Sequence, residues 1–476
     1  MAASPIPPSD TPDHPAPTLW ADLRAALRGT NADYTRIPLK RAVLLLAVPM
    51  MLELVLESTF AVVDIFFVAQ LGASAVATVG LTETYLFLLY AIAIGLATAV
   101  TAIVARRIGE GRSEGASVSA VQAIGLAVLV SVPFAAAGIW WAQDLLRLMG
   151  GDDWVVQHGY RYTQWMLGGN GIILLLFTIN AVFRGAGDAA MAMRVLWLAN
   201  ALNIVLDPLL IFGFGPVPAM GVEGAAIATT IGRGAGVLMQ LWILFRGSAH
   251  LRIGRADLRW HGATMLQIAR TSLGGIGQMM VAMTAWIFLM RILASISTDA
   301  VAGATIAMRI MMFTLMPAWG MSNAAATLVG QNLGAGEPAR AEAAVWRIGW
   351  MNMAFTVAVS VVFFAWHDAL IGLFTADAAV IAIGGEWLSI LAYSYFVYGW
   401  WMVAVQAFNG AGDTMTPTWI NLVFFWLIQI PLAWILALPG GWAHSGVFWG
   451  VFVSETAVGL FTLWLFTRGG WKKVKV

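Results

Sequence analysis

The length of its apolar runs limits what this chain can fold into more than any other feature. Runs at about 43–69, 77–104, 119–142, 160–183, 192–214 and 222–245, then 265–294, 300–331, 346–366, 384–408, 417–437 and 444–467, each approach or exceed the ~20 residues a helix needs to cross ~30 Å of hydrocarbon. Only 11% of the 476 residues are Asp, Glu, Lys or Arg, and 60% are hydrophobic. A soluble domain carries about 25% charged residues, so this chain cannot cover itself with a polar surface. An all-α integral membrane protein of twelve transmembrane helices is expected, with the lipid bilayer as its solvent.

Basic residues orient the runs, because they collect on the cytoplasmic side of a membrane. Lys40, Arg41, Arg106, Arg107, Arg112, Arg184, Arg194, Arg246, Arg252, Arg255, Arg259, Arg270, Arg340, Arg347, Arg468, Lys472, Lys473 and Lys475 fall on one side of the twelve-span map. The other side has Arg147, Arg161 and Arg291, with Asp152, Asp153, Asp368 and Asp377 in its loops. Both termini are therefore expected in the cytoplasm. A net charge of +1 points to no nucleic acid, and with no cysteine there are no disulfides or thiolate metal sites. Residues 1–35, rich in Pro, Ser and Asp at their start, read as a disordered cytoplasmic tail in which 19–35 has the makings of a short surface helix. Residues 468–476 read as a basic cytoplasmic tail.

The chain repeats itself. FRGAGD at Phe183–Asp188 returns as FNGAGD at Phe408–Asp413, 225 residues later. Gly109 and Gly111 of RRIGEG return as Gly334 and Gly336 of QNLGAG at the same offset, and Ala75 aligns with Ala300. Two pseudo-symmetric six-helix lobes of the same topology follow: an N-lobe over 36–245 and a C-lobe over 265–467, joined by a cytoplasmic linker at 246–264. Parallel halves related by an axis along the membrane normal are a recurrent transporter plan, with the substrate site between them.

An ionisable side chain inside a membrane is costly and marks a candidate functional site. The first run carries Glu53, Glu57 and Asp64. At 100° per residue they fall within about 40° of one another, on one stripe that must face protein or water. The fifth run, LANALNIVLDPLLIFG, places Asn203 and Asp207 on one face, and Pro208 after them favours a kink. A carboxylate and an amide on a kinked helix can coordinate a cation or hold a proton. The acidic pair belongs to the first half alone: 225 residues on, position 64 becomes Leu289 and Asp207 falls near Ile430–Leu432. Tyr162, Asn180, Thr229 and Thr230 are further polar groups of the first lobe. The second lobe offers Gln278, Tyr393, Tyr395, Tyr398 and Gln406, together with a methionine-rich region that includes Met279 and Met283, whose flexible thioethers suit varied apolar shapes. No phosphate-binding GxxxxGK[ST] loop, HExxH or GxSxG is present, and His367 and His444 stand alone in loops. ATP hydrolysis, metal-assisted hydrolysis and serine-hydrolase chemistry have no motif to rest on.

VVDIFFVAQLG in the first run, FRGAGD, NALNIVLDPLLIFG and GVEGAAIAT, echoed by FNGAGD and Pro417, make the chain resemble the MATE (multidrug and toxic compound extrusion) family over about residues 40–465. The resemblance implies two lobes around a central V-shaped cleft. It also implies export of small amphipathic, often cationic compounds by antiport against H⁺ or Na⁺, with no cofactor and no enzymatic activity. A monomer in a bacterial inner membrane is expected. Asp64 matches the first-helix acid of the DinF-like and archaeal-type branch. Asn203 and Asp207 match that branch's N-lobe cation site, with Tyr162, Asn180 and Thr229 or Thr230 as neighbours. An Na⁺ would sit among Asp64, Asn180, Asn203 and Asp207. Where another branch has acids in helices seven and ten, this chain has Gln278, Tyr393 and Tyr398, which argues against a C-lobe cation site. Glu53, Glu57, Gln278, Met279, Met283, Tyr393 and Tyr398 are the candidates for touching substrate.

Two rivals are weighed against export. A flippase for a lipid-linked precursor needs a cationic cleft for a pyrophosphate, but the internal charges are largely acidic, with Arg233 and Arg309 the internal basic candidates. A membrane transferase needs a His/Asp or metal constellation that the sequence lacks.

Overall fold

The computed structural model describes residues 18–247 and 251–474, and over them the apolar runs are helices. A backbone in lipid must satisfy its N–H and C=O groups without water, in a helix or a closed barrel, and apolar runs of this length do so as helices. Spans 1 to 6 are Leu39–Ala69, Ala73–Gly109, Ser113–Leu148, Val155–Ala186, Ala189–Phe212 and Val222–Arg246. Spans 7, 8, 9, 11 and 12 are Gly262–Ala294, Thr298–Gly334, Pro338–Gly372, Met415–Ala437 and Ala443–Thr467. Span 10 is a pair, Ala378–Ala392 and Tyr395–Ala411, bent by 62°.

The duplication extends to backbone irregularities. Trp141 in span 3 and Trp366 in span 9, 225 apart, both leave helical geometry (φ −119° and −135°). Span 4 breaks at Gly169, and span 10 breaks 225 residues later at Ser394. Gly187 and Gly412 close the two FxGAGD motifs in the left-handed region, at φ 92° and 91°. Span 5 runs unbroken through Pro208.

The lobes meet along two seams, span 1 on span 8 and span 2 on span 7. A two-fold relation exchanges these seams, as the repeat requires. Spans 2 and 8 are 37 residues each; at 1.5 Å per residue each is about 55 Å long and overshoots the bilayer. Their ends cross at the two repeated glycines. A Cβ on Gly109 would lie 2.0 Å from the Gln331 carbonyl oxygen, and one on Gly334 would lie 2.3 Å from that of Arg106. Around this crossing runs a belt of bonds between the lobes. Arg106 Nη2 donates to the Ala411 carbonyl (3.2 Å), Gln331 Nε2 to Gly185 (3.0 Å) and Thr327 Oγ1 to Arg184 (3.1 Å). Arg106 and Gln331 are themselves 225 apart. Among the described residues, the side-chain hydrogen bonds that join the lobes lie at this end.

The chain ends lie here as well, and they correct the tail readings. Residues 1–17 and 475–476, with Lys475, lie outside the described residues. From Leu19 on the expected tail is ordered, and the short surface helix expected within 19–35 forms. Leu19–Arg28 is a helix capped by Thr18, and it docks through an Asp22–Arg41 ion pair of 2.9 Å and through Arg194 donating to the Leu27 carbonyl at 2.9 Å. Its apolar face, with Ala26 buried, provides the drive that a composition count over 35 residues hides. Tyr34 then donates to the Gly187 carbonyl (3.0 Å), and Arg340 donates to the Tyr34 and Ile37 carbonyls. At the other terminus Trp471 is buried against Phe466, and Arg106 donates to the Val474 carbonyl (3.0 Å). The linker packs on the N-lobe: Leu251 and Ile253 join its core, and Ser117 donates to the Arg252 carbonyl (2.9 Å).

Candidate coupling site in the N-lobe

The acidic stripe of span 1 faces the interior of the N-lobe, and each acid meets a different helix there. Asp64 comes within hydrogen-bonding reach of Asp207 on span 5. Asp207 is fully buried and Asp64 half-buried. Each keeps a buried Oδ1 with no donor. Two carboxylates offer acceptors alone, so they can bond to each other only when one holds a proton, and in an apolar setting they repel when both are charged. With its amide nitrogen turned toward Asp207, Asn203 donates to Oδ2 at 2.7 Å while its carbonyl accepts from Thr229 Oγ1 at 3.0 Å. The buried Tyr162 lies within electrostatic range of Asp64.

Other candidates go elsewhere. Asn180 does not join the pair: its carbonyl accepts from Gln240 (2.6 Å) and its nitrogen donates to Glu53 (3.3 Å). Thr230 donates to the Ala226 carbonyl one turn back, at 2.7 Å. Glu53 is buried and bound to Arg184 on span 4 at 3.0 Å, so it is not open to substrate. Glu57 is held by Arg233 on span 6 at 3.2 Å, and Arg233 also donates to Tyr90 OH at 2.9 Å and lies over the Phe60 ring. These corrections share one cause: a carboxylate in an apolar lobe takes the nearest guanidinium, and helical periodicity does not reveal which helix supplies it. Arg233→Met is expected to lower stability by about 3 kcal/mol by stranding Glu57, and adding Glu57→Met should recover most of it. Thermal melts of the two purified variants check this.

In the C-lobe, Gln278 is spent on Asn409 and on the Thr414 carbonyl, both at 2.9 Å. Tyr393 is exposed on the outer face, against Phe364 and Phe452, whereas Tyr398 stacks on Tyr395. Met279 and Met283 stay half-buried on span 7. Two acids went unread in the sequence. Glu83, on span 2, lies within electrostatic range of Arg309 on span 8 and of Tyr162. Glu455 sits on span 12 near Tyr395 and Tyr398. Both stand in apolar runs, and the cost of an intramembrane charge that singled out Asp64 also applies to them.

The MatE family model matches residues 49–209 and 273–435, one stretch in each lobe. The chain belongs to the MATE family. It is a membrane transporter and not an enzyme. Among the relatives of this MATE protein is a probable multidrug resistance protein NorM of Thermotoga maritima, 28% identical over 91% of this chain and 94% of that one. An FAD transporter of Shewanella oneidensis is 27% identical over 83% and 88%. A MATE transporter of the MOP superfamily, solved in an outward-facing conformation, superposes with a TM-score of 0.85 at 26% identity, over 94% of this chain and 99% of that one. A MOP superfamily transporter of Pyrococcus furiosus, described as having a binding pocket of reversed polarity, superposes at 0.83 with 25% identity, over 94% and 98%.

Among the described residues of this MATE chain, no group of three or more His, Asp or Glu is placed to hold a metal ion. The four-residue Na⁺ set loses Asn180 to Glu53.

Proposed function

We propose that this MATE transporter is a secondary active multidrug exporter that works as a monomer in a bacterial inner membrane and exchanges amphipathic, cationic compounds for H⁺. The observation that carries this reading is the Asp64–Asp207 pair, whose direct carboxyl–carboxyl bond needs a proton. With the pair empty and charged, the two acids repel and spans 1 and 5 part to accept substrate. A proton neutralises the pair, the spans close, and substrate leaves on the far side. Exchange of one proton for one monovalent cation moves no net charge, so the pH difference drives it; one pH unit supplies about 1.4 kcal/mol, which sustains roughly tenfold accumulation. The basic residues support a cytoplasmic position for the belted end; the belt then closes that side, which favours an outward-open arrangement. The carboxyl pairing within the DinF-like pattern supports that branch.

The same geometry weighs against an anionic cargo, such as a lipid-linked pyrophosphate. The arginines that reach into the lobes are already faced by carboxylates, Arg184 by Glu53, Arg233 by Glu57 and Arg309 by Glu83. An anion entering the cleft meets no uncompensated cation there.

The test uses proteoliposomes loaded with ethidium. Efflux is expected under an imposed proton gradient in sodium-free buffer, and none under a sodium gradient at equal pH. Efflux that follows sodium alone would replace H⁺ with Na⁺ as the coupling ion, and efflux under neither gradient would overturn antiport.

A further inference from the structure

The 225-residue repeat carries Thr229 and Thr230, beside the N-lobe pair, onto Ser454 and Glu455 of span 12. The C-lobe therefore holds a carboxyl where the N-lobe has a hydroxyl. Among the described residues, no ion pair or hydrogen bond reaches Glu455, and it is half-buried rather than sealed. Tyr395 and Tyr398 lie near it instead, and further rings adjoin them. Tyr398 lies 6.2 Å from Tyr395 and 4.9 Å from Trp401, and Trp401 lies 6.2 Å from Phe425, centroid to centroid. Two buried donors on these rings are unspent. One is the Trp401 indole N–H; the other is the Tyr395 hydroxyl, which has Thr314 at its edge but not in hydrogen-bonding geometry. Beside span 12, span 11 loosens into a π-helix over Leu422–Gln429, where Ser454 donates to the Phe424 carbonyl at 2.8 Å. Local π-helical turns occur often at functional sites.

A carboxyl without a counter-ion inside a membrane calls for a cation. Aromatic faces favour one with diffuse charge, because the ring quadrupole attracts it and little hydration is lost. A bare proton would neutralise Glu455 but would leave the rings without a role. We propose that Glu455, Tyr398 and Trp401 form a second binding site, in the C-lobe, for the quaternary or delocalised cationic head of an amphipathic substrate. The proposal rests on the reading that cargo is cationic, and it locates part of that cargo's site.

The test is equilibrium binding of tetraphenylphosphonium to the purified full chain, with neutral triphenylphosphine oxide as the comparison probe and no ion gradient. Glu455→Gln is expected to weaken tetraphenylphosphonium at least about tenfold and to leave the neutral probe unchanged. Glu455→Asp should stay within about threefold of wild type. Trp401→Leu should weaken the cation alone, which keeps the question decidable if Glu455→Gln does not fold. Wild-type affinity in either variant that folds, or equal losses for both probes, overturns the site. Because no gradient is present, that failure leaves proton antiport standing. A failure of the gradient experiment likewise leaves this binding result intact.

Discussion

Asp64→Asn is expected to collapse the steady-state substrate gradient from the roughly tenfold that one pH unit sustains to none, while the protein stays folded in the membrane. The argument runs through Asp207. In the native pair the bond between the two acids exists only while a proton is shared, so bonding and protonation are one event. The substituted amide would hold an N–H permanently against Asp207 and supply the proton's bond without the proton. Spans 1 and 5 would then remain in the loaded arrangement at every pH. Substrate would then find no accepting state to enter, and proton influx would no longer drive its export. Asp207→Asn should behave alike, because the pair is symmetric in this respect. Asn203→Ala should act more weakly, since it removes one donor to Oδ2 and leaves both carboxyls. Glu57→Gln is the contrasting variant: its carboxylate belongs to Arg233, so coupling should survive. Ethidium accumulation by energised vesicles, with and without an uncoupler, measures all four. Wild-type accumulation in the Asp64→Asn variant would remove the carboxyl pair from the mechanism.

Much of this was legible because membrane burial makes sequence unusually explicit. Twelve apolar runs gave twelve spans, with the tenth broken. The 225-residue offset, read from two glycine motifs and one weaker match, proved to govern the kinks at Trp141 and Trp366 and the breaks at Gly169 and Ser394. Helical periodicity put Glu53, Glu57 and Asp64 on one inward stripe, and they occupy it. What periodicity does not carry is rotation between helices. The sequence assigns Arg184 to a connection, yet its guanidinium turns back into the lobe to meet Glu53 and draws Asn180 with it. The span 10 bend falls at Tyr393–Ser394, where neither proline nor glycine announces it; its signal lay in the other half, at Gly168–Gly169. Glu83 and Glu455 were readable by the rule already applied to Asp64. They are isolated acids rather than members of a stripe, and a pattern search passes over single residues.

The second large effect is expected where the lobes touch, at Gly109→Ala. A methyl group there would lie 2.0 Å from the Gln331 carbonyl oxygen and within 2.8 Å of its Cα. Those atoms are backbone, so no rotamer change relieves the contact. Overpacking of this kind costs about 1–3 kcal/mol, and the cost falls only on the arrangement in which spans 2 and 8 cross. The arrangement with the belt open escapes it, so the population should shift toward that state by roughly five- to 150-fold. The native chain has no cysteine, so an introduced thiol would be the sole label site. Thr327→Cys suits the purpose: Thr327 is fully buried in the belt and donates to the Arg184 carbonyl at 3.1 Å. In the otherwise native chain this thiol should react slowly with an impermeant maleimide from the side of the termini. With Gly109→Ala added it should react faster by about the population shift. Gly334→Ala, the repeat-related change, presses on the Arg106 carbonyl and should give the same result. Equal labelling rates with and without these alanines would mean that the glycine crossing does not set the balance between the two states. A rate that rises for one alanine and not for the other would show that the two halves of the repeat, though matched in sequence and backbone, do not share the work of closing that end.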